Sequence, residues 1–304
     1  MLAQNIEPVE VIHVAGVNLN DSSWHASLLL LLGLDGNTST DWGGGGNAAD
    51  WINNLANSIS GLSVQALKFT ANKKHSISEL PMEEIAGHAI CSIKEHKLLN
   101  RPLFICSYSY GGLIVKRIIA DTEGHHHHEY FRRNMINLRG LVFLGVPHLG
   151  SHLATSILRR IIFPKTSYSV GDLSPSSRAI KDIDRRFRVK IAKISNLQLL
   201  SVRELRGPTI AEFHQVFDKF PPWIRNIEFP PVVSQSSATL NLPSEIIFDA
   251  DATHRQLPKF LYRNSEQLLS RLKEILNSAV NLDSKSMETP EFFPETTADT
   301  PLRS

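Results

Sequence analysis

Residues 104–119, FICSYSYGGLIVKRII, decide the fold. Leu103, Phe104, Ile105 and Cys106 form an apolar run of strand character, and Leu113, Ile114, Lys116, Arg117 and Ile118 follow at helical spacing a few residues later. The pattern predicts a strand that turns sharply into a helix. Such a turn needs a small residue two positions past its apex, because a side chain there would strike the entering strand. Gly111 stands two residues after Ser109, so Ser109 is the expected apex, and the N–H of Tyr110 opens the helix beside it. Ser107 takes the place of the first glycine of the common G-x-S-x-G form, where a small residue still fits. The competing reading is a glycine-assisted turn with an incidental serine.

On either side of this corner, strand-like runs alternate with helical patterns. Strands are expected near 9–15, 62–69, 102–107, 138–145, 197–203 and 245–249. Helices are expected from Asn47, where N-A-A-D resembles a cap ahead of Trp51, Ile52 and Leu55, and over 81–97, 110–121 and 256–278. The alternation implies an α/β fold: a mostly parallel central sheet with helices on both faces. Residues 17–46, with GGGG at 43–46, read as a long functional loop. Residues 151–196 interrupt the alternation as a helical, cap-like insertion. Within it Ile180, Ile183, Phe187, Ile191 and Ile194 recur at helical spacing among arginines and lysines, a basic amphipathic helix with one face on the body of the protein. Its competing reading is a membrane-surface helix. One domain is expected over 1–280, and 281–304, rich in Thr, Pro and acids, as a disordered tail.

An apolar share of 42% in 304 residues supports a sizeable core. Thirty-two basic against 30 acidic residues leave a formal charge of +2, too even for a nucleic-acid binder. Two cysteines, Cys91 and Cys106, make no disulfide framework and suit a reducing, cytoplasmic setting. The start, MLAQNIEPVEVIHV, reads as no leader, and LLLLLGL at 28–34 is too short to cross a bilayer, so any membrane contact is expected to be peripheral. No sequence feature sets an oligomeric state.

A serine hydroxyl is a poor nucleophile at neutral pH and needs a histidine, which in turn needs an acid to hold its tautomer. The chain order for this elbow is serine, acid, histidine. Of 13 histidines, His13, His25, His75, His88 and His96 precede the serine. The run His125 to His128 suits a flexible loop better than a metal site. His152 and His214 are less well placed. His148, directly after a strand in FLGVPHLGS, is expected near the site as a substrate-binding residue. His254, in IIFDADATHRQLPKF, lies between the last strand and the last helix, where a base can reach the carboxyl edge of the sheet. Glu204 closes the strand LQLLSVRE and is the first candidate acid, with Asp218 and Asp249 as alternatives; Asp251 is too near His254 in sequence. For the oxyanion hole, Tyr110 supplies one N–H, and Val17, following Gly16 at the end of VIHVAG, is the expected second donor. Gly16 and Tyr108 are expected to border the substrate.

VIHVAG at 11–16, ICSYSYGGLIVKRII, LVFLGVPHLGS at 141–151, and VVSQSSATL followed by DATHRQLPKF together resemble the serine-esterase/lipase-like family. That family includes serine-active-site-containing proteins of phospholipid remodelling and lipase-like domains fused to fungal NACHT or NB-ARC proteins. The resemblance runs over roughly 9–278. It implies an α/β-hydrolase fold and hydrolysis of carboxylic esters, often of lipids, without metal or cofactor. Position by position it makes Ser109 the nucleophile, His254 the base and Glu204 or a nearby acid the third member. The family's opening strand usually ends in His-Gly, where this chain has Ala15, and its elbow begins Gly-His or Cys-His, where this chain has Ser107-Tyr108. These departures motivate a second reading, a silent hydrolase fold serving as a binding or signalling module.

Overall fold

Seven strands form one sheet: β1 (Val9–Gly16), β2 (Ala26–Leu31), β3 (Leu62–Phe69), β4 (Leu103–Tyr108), β5 (Leu138–Leu144), β6 (Gln198–Glu204) and β7 (Glu245–Ala250). Their spatial order is β1-β3-β2-β4-β5-β6-β7; β1 runs antiparallel to β3, and all other neighbours are parallel. The computed structural model describes residues 9–33, 42, 50–69, 81–121, 126–151, 174–175, 177–209 and 226–286.

Strand β2 corrects the expectation of an uninterrupted loop over 17–46. Every residue of Ala26–Leu31 is buried, because β2 lies between β3 and β4 with helices covering both faces. Such a strand shows no polar alternation, so ASLLLL carries the composition of a core strand without its period. Leu29, Leu30 and Leu31 are fully buried, each contributing roughly 1.5–3 kcal/mol of transfer free energy.

The described helices are α1 (Asp50–Ser58), α2 (Met82–Glu95), α3 (Tyr110–Ala120), α4 (His126–Asn134), α5 (Arg178–Ile191) and α6 (Ser265–Ser286). Alternate residues of β4 feed two cores. Leu103 and Ile105 join the core formed with α2, α3 and α5, while Phe104 and Cys106 join the one formed with α1 and α6. Helix α3 is central, with every residue but Arg117 buried. The basic helix α5 buries Ile180, Ile183, Phe187 and Ile191 and packs on α3, so this part of the insertion belongs to the helical layer between β5 and β6. Residues 152–173 and 176 of the insertion lie outside the described residues. Two boundaries differ from expectation. His126–His128 sit in α4 where a loop was expected, and α6 continues through Ser286, past the expected domain end at 280. Residues 287–304 lie outside the described residues.

Candidate active site

Ser109 sits between the end of β4 and the start of α3 with φ 53° and ψ −127°, a conformation that a side chain normally avoids. Strain of this kind costs on the order of 1–3 kcal/mol and persists only where the surroundings impose it. Here the Ser109 N–H donates to Leu144 O at 2.9 Å, and Ser109 O accepts from the Gly112 N–H at 3.1 Å. The glycine two places on is required: a Cβ at Gly111 would stand 2.3 Å from the Leu32 carbonyl oxygen, at the exit of β2.

His254 opens a short 3-10 helix, His254–Lys259. Its first turn is fixed by a capping box in which the Thr253 side chain accepts from the Gln256 N–H and the Gln256 side chain accepts from the Thr253 N–H. From there His254 Nε2 lies 3.0 Å from Ser109 Oγ, and Nδ1 bonds Glu204 Oε2. Glu204 is fully buried at the end of β6, and its other oxygen accepts the Val233 N–H at 2.9 Å. In the neutral ring this places the proton on Nδ1, donating to the carboxylate, and leaves Nε2 to accept from the serine hydroxyl. The Tyr108 ring packs beside the imidazole, centroids 5.0 Å apart. Thus Ser109, Glu204 and His254 come together at the carboxyl edge of the sheet, with Tyr108 against them and Tyr110 opening the helix that follows the serine.

Asp249 is held elsewhere, by two hydrogen bonds from Arg203 at 2.6 and 2.7 Å. Asp218, His152 and His214 lie outside the described residues.

Three expected site residues fall away from this cluster. The Val17 N–H donates to Leu62 O at 3.1 Å, and Gly16 packs so closely on Leu62 that a Cβ would stand 2.1 Å from the same oxygen. The physical reason is sheet order: β1 is separated from β4 by β3 and β2, so its end cannot reach the serine. The strand beside β4 is β2, and its exit holds Gly33, where a Cβ would lie 2.9 Å from Ser109 Cβ and 3.4 Å from Oγ. His148, the third, is fully buried and has no surface to offer a substrate. Its Nδ1 lies 3.5 Å from Lys116 Nζ, and its ring stands edge-on to Phe143. Burial and the neighbouring Lys116 and Arg188 charges push the His148 ring well below the usual histidine range.

Two residues beyond the sequence reading shape the site. Gly145, with φ 55°, lets the chain pass His254: a Cβ there would lie 3.0 Å from both Cε1 and Nδ1 of the ring. Val233 supplies the second bond to the acid. The glycine was visible in FLGVPHLGS as a strand-end residue, whereas a backbone N–H from a distant segment leaves no sequence signal.

No family model matches the chain. Protein SERAC1 of Bos taurus is 32% identical over 178 residues, covering 56% of this chain and 24% of that protein. Protein SERAC1 of Homo sapiens is 30% identical over 176 residues, with the same two shares. The chain thus spans about a quarter of the length of the curated relatives it matches. Among solved structures, Bacillus licheniformis lipase BlEst2 superposes with a TM-score of 0.54 at 16% identity, over 88% of this chain and 97% of that one. Phospholipase PlaB from Legionella pneumophila gives 0.58 at 15% identity, over 87% and 64%. With the sheet order described above, these similarities establish the α/β-hydrolase fold.

Proposed function

We propose that the chain is a serine hydrolase that cleaves carboxylic esters, of the lipid or acyl-ester class, through an acyl-enzyme on Ser109. The single observation that carries this reading is the hydrogen-bonded series Ser109 Oγ, His254 Nε2, His254 Nδ1, Glu204 Oε2. Ser109 Oγ attacks the ester carbonyl carbon as its proton passes to His254 Nε2. The ring becomes cationic beside the buried Glu204 carboxylate, which stabilises it and holds its orientation. Negative charge on the carbonyl oxygen is met by the Tyr110 N–H at the start of α3 and by the backbone at Gly33, beside the serine. Collapse of the adduct expels the alcohol, which takes the proton from Nε2. Water, activated by the same nitrogen, then attacks the acyl carbon and frees the acid and Ser109.

The fold shared with a lipase and a phospholipase supports an ester substrate, as does the partial similarity to SERAC1. A series of p-nitrophenyl esters of increasing acyl length tests the reading: turnover by the unmodified chain and its loss in Ser109→Ala are expected. The same turnover in Ser109→Ala would overturn it.

The second reading, a silent module, draws on the departures at Ala15 and at Ser107-Tyr108, which opens the elbow where the resembled family begins Gly-His or Cys-His. No detectable turnover of any ester by a folded chain would favour it.

A further inference from the structure

A buried carboxylate needs partners for both oxygens. For Glu204 the second partner is the N–H of Val233, carried by a segment that is neither helix nor strand. Four hydrogen bonds tie that segment to the loop leaving β5. The His148 N–H donates to Ser237 O at 2.8 Å, the Leu149 N–H to Ser237 Oγ at 3.1 Å, Ser237 Oγ to Gly150 O at 2.6 Å, and Ser151 Oγ to Val232 O at 2.7 Å. Ser237 and Ser151 are 4% and 5% exposed, and the hydrogen bonds of their hydroxyls go into this tie. Farther along, Arg188 donates to Leu240 O at 2.7 Å while ion-paired to Asp184, which anchors the other end of the segment to α5.

We propose that Ser237 and Ser151 are positioning residues that hold the Val233 N–H on Glu204 and so fix the carboxylate that orients His254. This rests on the serine-hydrolase reading above. A carboxylate that loses one N–H donor becomes a stronger base and holds the imidazole proton more tightly.

The test compares the full chain with Ser237→Ala, Ser151→Ala, the double variant and Ser237→Thr, each checked for folding by its thermal melt. On a soluble ester the alanine variants are expected to lower kcat roughly tenfold, the scale of a weakened hydrogen bond to a charged acceptor. KM is expected to stay within about twofold, and the acid limb of the pH–rate profile to move to higher pH. Ser237→Thr, which keeps the hydroxyl, is expected to restore both. The far-downfield proton NMR signal of His254 Nδ1–H, assigned by its loss in His254→Ala, provides a readout that needs no turnover; it is expected to shift or broaden in the alanine variants. A folded double variant with unchanged kcat, acid limb and proton signal would overturn the proposal. A wild-type chain without turnover refutes the hydrolase reading instead, and the proton signal then decides the tie by itself.

Discussion

Ser109 Oγ lies 3.0 Å from His254 Nε2 although the two residues are 145 positions apart. That approach is fixed from both sides: by the strained corner between β4 and α3, and by the capped 3-10 helix after β7.

If Glu204 holds the imidazole tautomer, Glu204→Gln should be far worse than its near-identical shape suggests. A carboxamide can present N–H to Nδ1 and favours the tautomer with the proton on Nε2, facing the serine. The expected loss in kcat is about 10⁴-fold at neutral pH, with the melting temperature little changed. Steady-state kinetics on a p-nitrophenyl ester measure it, and a loss below about tenfold would remove Glu204 from this role.

Gly33 touches the serine, and an added methyl would crowd Ser109 Cβ at 2.9 Å. Gly33→Ala is expected to lower kcat by roughly 10²-fold, the scale of a displacement near 1 Å at a reacting group. Kinetics comparable to wild type would show that the exit of β2 does not border the reaction.

Two glycines in helices should respond oppositely to alanine. At Gly111 the methyl would meet the Leu32 carbonyl at 2.3 Å, so Gly111→Ala should cost about 1–3 kcal/mol. At Gly87, within α2, nothing lies within 4 Å, and Gly87→Ala should stabilise by about 0.5–1 kcal/mol. Urea midpoints measure both, and equal responses would contradict the packing at the corner.

Lys116 is fully buried, paired with Asp184 at 2.5 Å; Arg188 bonds the same carboxylate, and Glu245 and His148 are close enough to affect its charge. Burial lowers the Lys116 ammonium to about 8, against the attraction of Asp184. Between about 8 and the ordinary 10.5 the unfolded chain binds more protons than the folded one, so this group makes stability rise with pH across that window. Asp184→Ala strands the charge and should cost roughly 3 kcal/mol near pH 7. The cost should shrink near pH 10, where Lys116 is neutral in the folded state of either protein. Urea titrations at the two pH values test this, and a penalty that grows with pH would contradict it.

Much of the site could be read from sequence because its signals are local. The elbow is a strand, a turn and a helix within sixteen residues, and Glu204 and His254 each stand at the end of a strand-like run. What could not be read depends on pairing. Nothing in ASLLLL distinguishes a core strand from any other apolar run, and without β2 the expected second donor, Val17 after Gly16, falls on a strand that β3 and β2 separate from Ser109. His148 looked accessible because it follows β5, yet its ring turns into the layer beneath α3 and α5, toward Lys116. The N–H of Val233 on Glu204 crosses 29 positions and involves no side chain of its own.

The central claim is tested most directly by treating the chain with a fluorophosphonate and mapping the adduct by peptide mass spectrometry. The account predicts one adduct, on Ser109, absent from Ser109→Ala and strongly reduced in His254→Ala. An adduct on Ser107 or another residue, or labelling that survives Ser109→Ala, would contradict it.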